Sequence, residues 1–181
     1  MARADGDPAS DVLASQPLFL AADAGVVPAQ QAQLAALLAR ARAQGFDLHV
    51  AVIASATDLG SITELWRQPR NYARFLGQEL ALVARGPLLV VMPDGFGTYG
   101  GPGLAGLTAP ERDLGAGAIA AVQRLATESG HPLGAVSVTA PAQGGTGGAG
   151  PLPWVVFGLG WVVILAVWTV SLRVRPLRRA A

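Results

Sequence analysis

The 181-residue chain has no cysteine and no lysine, only two histidines, and little charge, with 14% of its residues Asp, Glu, Lys or Arg. Without cysteine it cannot be a disulfide-stapled scaffold or hold a cysteine zinc site, and the redox compartment stays open. All thirteen basic residues are Arg, and with so much Ala, 23 Gly and 13 Pro this reads as the coding bias of a GC-rich bacterial genome. The standard catalytic signatures are missing too: there is no GxSxG, no HExxH, no P-loop and no EF-hand loop. There is no internal repeat.

What charge there is divides unevenly. Residues 1–153 hold nine Arg against twelve acids, a net of −3, while residues 173–181 hold four Arg and no acid. An acidic domain offers little to a phosphate backbone, so nucleic acid is not an expected partner. The basic charge sits beside "WVVFGLGWVVILAVWTVSL", residues 154–172, nineteen residues without a charge. That length matches a hydrocarbon core, so a transmembrane helix in contact with lipid is expected there. The arginines of "RVRPLRR" then place residues 173–181 in the cytoplasm and the preceding domain outside, in the cell membrane of a bacterial envelope. Trp154, Trp161 and Trp168 recur every seven residues along one face and read as lipid-facing anchors. Ala2-Arg3-Ala4 has the A-x-A form of a signal-peptidase site, which suggests a longer precursor matured near Asp5. The same form also arises by chance in so Ala-rich a chain.

Residues 1–15 read as a flexible lead-in, 16–140 as the folded domain and 141–153 as a Gly/Pro-rich linker. Within the domain, 28–45 is expected to be helical from Pro28 to Gly45, with Leu34, Leu37, Leu38 and Ala41 on one face. A second helix is expected over 69–85, with Tyr72, Phe75, Leu76, Leu80 and Val83 inward. A third runs from a capping box at Thr108-Ala-Pro-Glu111 to about Glu128. Ser61-Ile-Thr-Glu64 opens a further short turn. "FDLHVAVIAS" (46–55) and "PLLVVM" (87–92) are nearly unbroken apolar runs and read as central strands covered on both faces. "PLFLA" (17–21) and "GAVSVTA" (134–140) read as edge strands. Helices alternating with strands imply a three-layer α/β/α sandwich with a mixed sheet, plus one C-terminal transmembrane helix.

Gly95-Phe-Gly-Thr-Tyr-Gly100 spells GxGxxG directly after a strand. A dinucleotide fingerprint needs a helix opening inside the glycine turn, so that its amides meet the pyrophosphate. Here Gly100-Gly101-Pro102-Gly103 follows, and no acid waits for the ribose. Asp94-Gly95 instead suits a two-residue type I′ turn, so the expectation is a β-hairpin and no dinucleotide.

The order of these segments resembles the TPM domain, an extracytoplasmic or lumenal α/β module often tethered by one membrane helix. "ADAGVVPAQQAQL", with Asp23 and Gly25, resembles the family's opening motif and first helix. "GFDLHVAVIAS" resembles its first core strand, Tyr72-Ala73 its Tyr-Ala helix, and "GPLLVVMPDGFGTYG" its second core strand and hairpin. Some members are described as acid phosphatases and some as binding calcium or other divalent ions. The resemblance therefore implies a divalent cation as cofactor, with Asp23 and Asp94 as metal candidates. Asp58, after the first core strand, lies where α/β sheets place ligands and could join them, or could be an ordinary capping aspartate. Leu76-Gly77-Gln78 stands where the family has Trp-Gly, and Ala105 where it has Glu, one carboxylate fewer for a hard cation.

His49 reads as a packed core residue and His131 as a loop residue with no identifiable partner. Gly95 and Phe96 in the hairpin, together with Tyr99 and Trp66, are candidates for docking a partner, though either aromatic could equally pack on the domain. The expected function is a membrane-anchored, non-enzymatic binding or assembly module whose partner is an envelope or membrane protein. The alternative is a divalent-metal-dependent phosphatase-like enzyme using Asp23, Asp58 and Asp94.

Overall fold

The structure, a computed structural model, describes residues 6–134. Its first element differs from the expected lead-in. Asp7-Pro8 starts a helix, α1 (Pro8–Leu13): the proline sits in the first turn, and the Asp7 side chain accepts from the Ala9 amide at 3.0 Å. Ala9 and Leu13, four residues apart on one face, are both buried. A mostly polar stretch is thereby fixed to the domain by two apolar side chains and a cap.

The remaining elements are β1 (Leu18–Leu20), α2 (Pro28–Ala43), β2 (His49–Val52), α3 (Pro69–Leu80), β3 (Leu88–Met92), β4 (Gly95–Tyr99) and α4 (Leu114–Glu128). Two short 3₁₀ turns, Ala56–Leu59 and Thr63–Leu65, fill the path from β2 to α3. The fold is thus mixed α/β around one four-stranded sheet of order β1-β2-β3-β4. The first three strands are parallel and β4 is antiparallel to β3. "PLFLA" forms an edge strand and the two long apolar runs form the central strands, as their composition implies.

Alternation along the central strands divides the core in two. Val50, Val52, Leu89 and Val91 join a cluster with α2 and α4. Ala51, Ile53, Leu88, Val90 and Met92 join a second cluster with α1 and α3. Side chains on a strand point alternately to opposite faces, so a run that is apolar at every position needs cover on both. The two helix pairs supply that cover.

Three boundaries move. Helix α3 stops at Leu80, not Arg85, leaving Val83 62% exposed where an inward side chain is expected. The chain leaves the helix there to reach Gly86, whose φ of 96° suits glycine alone. Helix α4 starts at Leu114, because Asp113 takes the cap and accepts from the Ala116 amide at 2.8 Å. Glu111, expected inside that helix, has φ 34° and donates its amide to the Pro93 carbonyl at 2.9 Å. The short helical turn expected after Ser61 is present as the 3₁₀ turn Thr63–Leu65, beginning one residue later with Ile62 at the cap position and no side-chain cap.

Among the described residues no helix is long and apolar enough to cross a membrane. The expected span 154–172, the linker, the basic tail, the strand reading of 135–140 and the Ala2-Arg3-Ala4 site lie outside the described residues.

Candidate functional site

The three metal candidates follow the carboxyl ends of the parallel strands β1, β2 and β3, so the topology brings them to one end of the sheet. They do not form a ligand set. Asp23 and Asp94 are exposed turn residues. Asp58 turns inward on its own backbone: Oδ2 accepts from the Ala54 amide at 3.0 Å, the Ser55 amide at 2.8 Å and Ser55 Oγ at 3.1 Å. That oxygen is used in closing the turn after β2. Among the described residues no group of three or more His, Cys, Asp or Glu side chains gathers where it could hold a metal ion.

The glycine motif is a strand. Met92 pairs with Gly95, Val90 with Gly97 and Leu88 with Tyr99, so the chain reverses in a two-residue loop. The loop is Pro93-Asp94, one residue earlier than the expected Asp94-Gly95. A type I′ turn needs φ > 0 at both central residues, and the ring of Pro93 holds φ near −65°. Asp94 is not among the non-glycine residues with positive φ, while Gly95 carries φ 151°.

Helix α3 lies directly on this strand because both surfaces lack side chains where they meet. A Cβ on Gly97 would collide with the Pro69 carbonyl, and one on Gly77 with the ring of Tyr99. Tyr99 and Trp66 therefore pack, half-buried, on the α3 side of the core, and Phe96 packs on the other. Gly95 is half-buried at the hairpin's start. The four partner candidates are thus half-buried, packed on the domain with part of each surface open.

Gly95, Phe96 and Tyr99 border a groove; Trp66 does not line it. One part, 520 Å³, is lined by Arg70, Arg74 and Gln78 of α3, by Phe96, Thr98 and Tyr99 of β4, and by Gly103-Leu104-Ala105. A second, 550 Å³, continues past the hairpin end to Arg67 and Asp94 and shares Arg70, Phe96, Leu104 and Ala105 with the first. Residues 70, 74 and 78 fall at four-residue spacing, which aligns them on one helix face. Among the described residues none of Arg67, Arg70 and Arg74 has an ion-pair or hydrogen-bond partner; the ion pairs are Arg42–Asp47 and Arg124–Glu128. Arg67 also sits at φ 62°, in the left-handed region that costs a residue with a Cβ energy. Asp94 is the one acidic side chain lining either part.

Strand β4 is the outer strand on this side of the described sheet. In a hairpin closed by the bonded pair Met92–Gly95, alternate residues bond across the ladder. Gly95, Gly97 and Tyr99 then point their backbone groups at β3, while Phe96 and Thr98 point theirs into the groove. No other described backbone group pairs with them.

A larger cavity, 810 Å³, flanks β1 between the α1–β1 connection, α2 and residues 83–85. The Arg42–Asp47 ion pair, 3.3 Å, and His49 line it. His49 is therefore half-buried at the start of β2, not fully enclosed in the core. Burial pushes its pKa down, Asp47 acts against that, and Arg42 adds to it. His131 stacks on Phe46 with ring centroids 5.0 Å apart.

The arginine row is what sequence reasoning missed. Its signal was present as Arg-x-x-x-Arg-x-x-x-Gln opposite the apolar stripe of α3. Such a row reads as a solvated face until the neighbouring strand is known to be an edge. No family model matches the chain, and neither the curated proteins nor the solved structures contain a match. Fold and site together define a mixed α/β domain with a cation-lined groove beside an outer strand.

Proposed function

We propose that this chain is a membrane-tethered binding module with a TPM-like, three-layer α/β/α domain facing outward. Residues 154–172 anchor it in the cell membrane, residues 173–181 lie in the cytoplasm, and the groove beside β4 docks an envelope or membrane protein. The observation that carries the reading is the coincidence, among the described residues, of three arginines without an ion-pair partner and a strand edge without backbone partners along one groove. Exposed cations beside an open strand edge fit a surface completed by another molecule.

A photo-reactive phenylalanine analogue placed at Ala105, in the groove, should cross-link one membrane-fraction protein. The same analogue at Ala120, an exposed position on α4, should not. Cross-linking from Ala105 should fall sharply in the double variant Arg70→Glu, Arg74→Glu. Equal labelling from both positions, or labelling indifferent to the charge reversal, would sink the reading. The chain should also stay in the membrane pellet under alkaline carbonate extraction.

A further inference from the structure

We infer that the groove takes an extended peptide segment as an added strand on β4, and that this segment carries acidic residues at alternate positions. The inference deepens the binding reading and rests on it. The backbone groups of Phe96 and Thr98 supply the first half of the recognition. They lie two residues apart along the strand, about 6.8 Å, which is the repeat at which an extended chain presents its own outward amides and carbonyls. A nucleic acid or a small anion has no matching alternation of donors and acceptors.

The arginine row supplies the second half. Arg70 and Arg74 are one helical step of four residues apart, about 6 Å along the axis. Alternate side chains of a strand recur at about 6.8 Å, so consecutive residues on one face of the added strand reach consecutive arginines. Glycines 77 and 97 matter here, because they let α3 come down onto β4 and bring its arginines level with the edge. On the opposite face the added strand meets Phe96 and Leu104, which ask for apolar side chains. The sequence recognised is then acid–apolar–acid–apolar.

The test uses the full chain in detergent solution and three fluorescent pentapeptides: Glu-Val-Glu-Val-Glu, the isomer Glu-Glu-Val-Val-Glu, in which no two acids lie two residues apart, and Lys-Val-Lys-Val-Lys. The alternating acidic peptide should bind saturably, about tenfold more tightly than the lysine peptide, the size expected of two exposed ion pairs, and about threefold more tightly than the isomer, which can form one. Its affinity should weaken with added salt. It should slow hydrogen exchange at the Phe96 and Thr98 amides and leave Gly97, already paired with β3, unchanged. Thr98→Pro should abolish binding: it removes an outward N–H and no ladder bond. Equal affinity for the isomer Glu-Glu-Val-Val-Glu, binding without protection of Phe96 and Thr98, or binding retained in Thr98→Pro would overturn the inference. Should Thr98→Pro fail to fold, the exchange pattern of the native chain decides. Cross-linking from Ala105 in membranes together with no protection by the peptide overturns the strand inference alone. Protection by the peptide with no cross-linked protein upholds the strand chemistry and removes the membrane-partner reading.

Discussion

At the scale of single residues, the pair that ties the first helix down is Asp7 and Tyr72. The tyrosine hydroxyl lies 2.9 and 2.7 Å from the two carboxylate oxygens, and Asp7 is 5% exposed. Burial pushes the Asp7 carboxyl above its ordinary range; hydrogen bonds from Tyr72 and the Ala9 amide pull the other way, and Glu79 and Asp11 add to the rise. Burial and the facing carboxylate likewise push the Tyr72 hydroxyl upward, so it stays a donor across the physiological range. With its folded pKa raised, Asp7 contributes stability that is fully present below the unfolded value, roughly 3.9, and is lost as pH rises through the folded value. Urea unfolding of wild type and Asp7→Asn across pH 3 to 8 should therefore show this loss in wild type only; parallel curves would refute it. Tyr72→Phe leaves the buried carboxylate without its O–H donor and should cost about 1.5–3 kcal/mol near neutral pH.

At the scale of elements, the contact between α3 and β4 depends on the absence of two side chains. Gly97→Ala would press a methyl onto the Pro69 carbonyl, a backbone atom that cannot swing aside, and should cost about 1–3 kcal/mol by thermal unfolding. Gly103→Ala, with nothing within 4 Å of the new Cβ, should stay within about 0.5 kcal/mol. A larger loss at 103 than at 97 would refute this packing account. The same glycines explain why the motif misleads when read as letters. Of the motif's three glycines, Gly97 is where a strand face must admit a helix, while Gly95 and Gly100 take backbone φ of 151° and 68°; none opens a helix onto a phosphate. The central strands were legible because apolar residues at every position can only be satisfied by cover on both faces. Helix α1 was not legible, because its anchoring depends on Tyr72, 65 residues further along the chain.

At the scale of the whole molecule, the parallel order of β1, β2 and β3 was not written in any local pattern, and neither was the exposure of β4. Asp23, Asp58 and Asp94 could be placed at one end of the sheet from strand order. That Asp58 spends its oxygen on its own turn is a matter of ångströms that spacing does not encode. The groove needed both facts at once: a charged row on α3 and an edge beside it. One consequence of that edge concerns solubility. A strand with unused backbone groups is a template for a second copy of the same chain, and β4 meeting β4 would begin an aggregate. Two copies meeting this way would bring their arginine rows together, and like charges at that distance repel. The arginines then act as a guard against self-pairing, and salt should weaken the guard by screening it. Analytical ultracentrifugation of the detergent-solubilised chain should show self-association that grows with ionic strength, and more strongly in Arg70→Ser, Arg74→Ser than in wild type. A sedimentation profile indifferent to both would mean that something else protects the edge. A row of cations that reads a partner would, in the partner's absence, be what keeps the chain from pairing with itself.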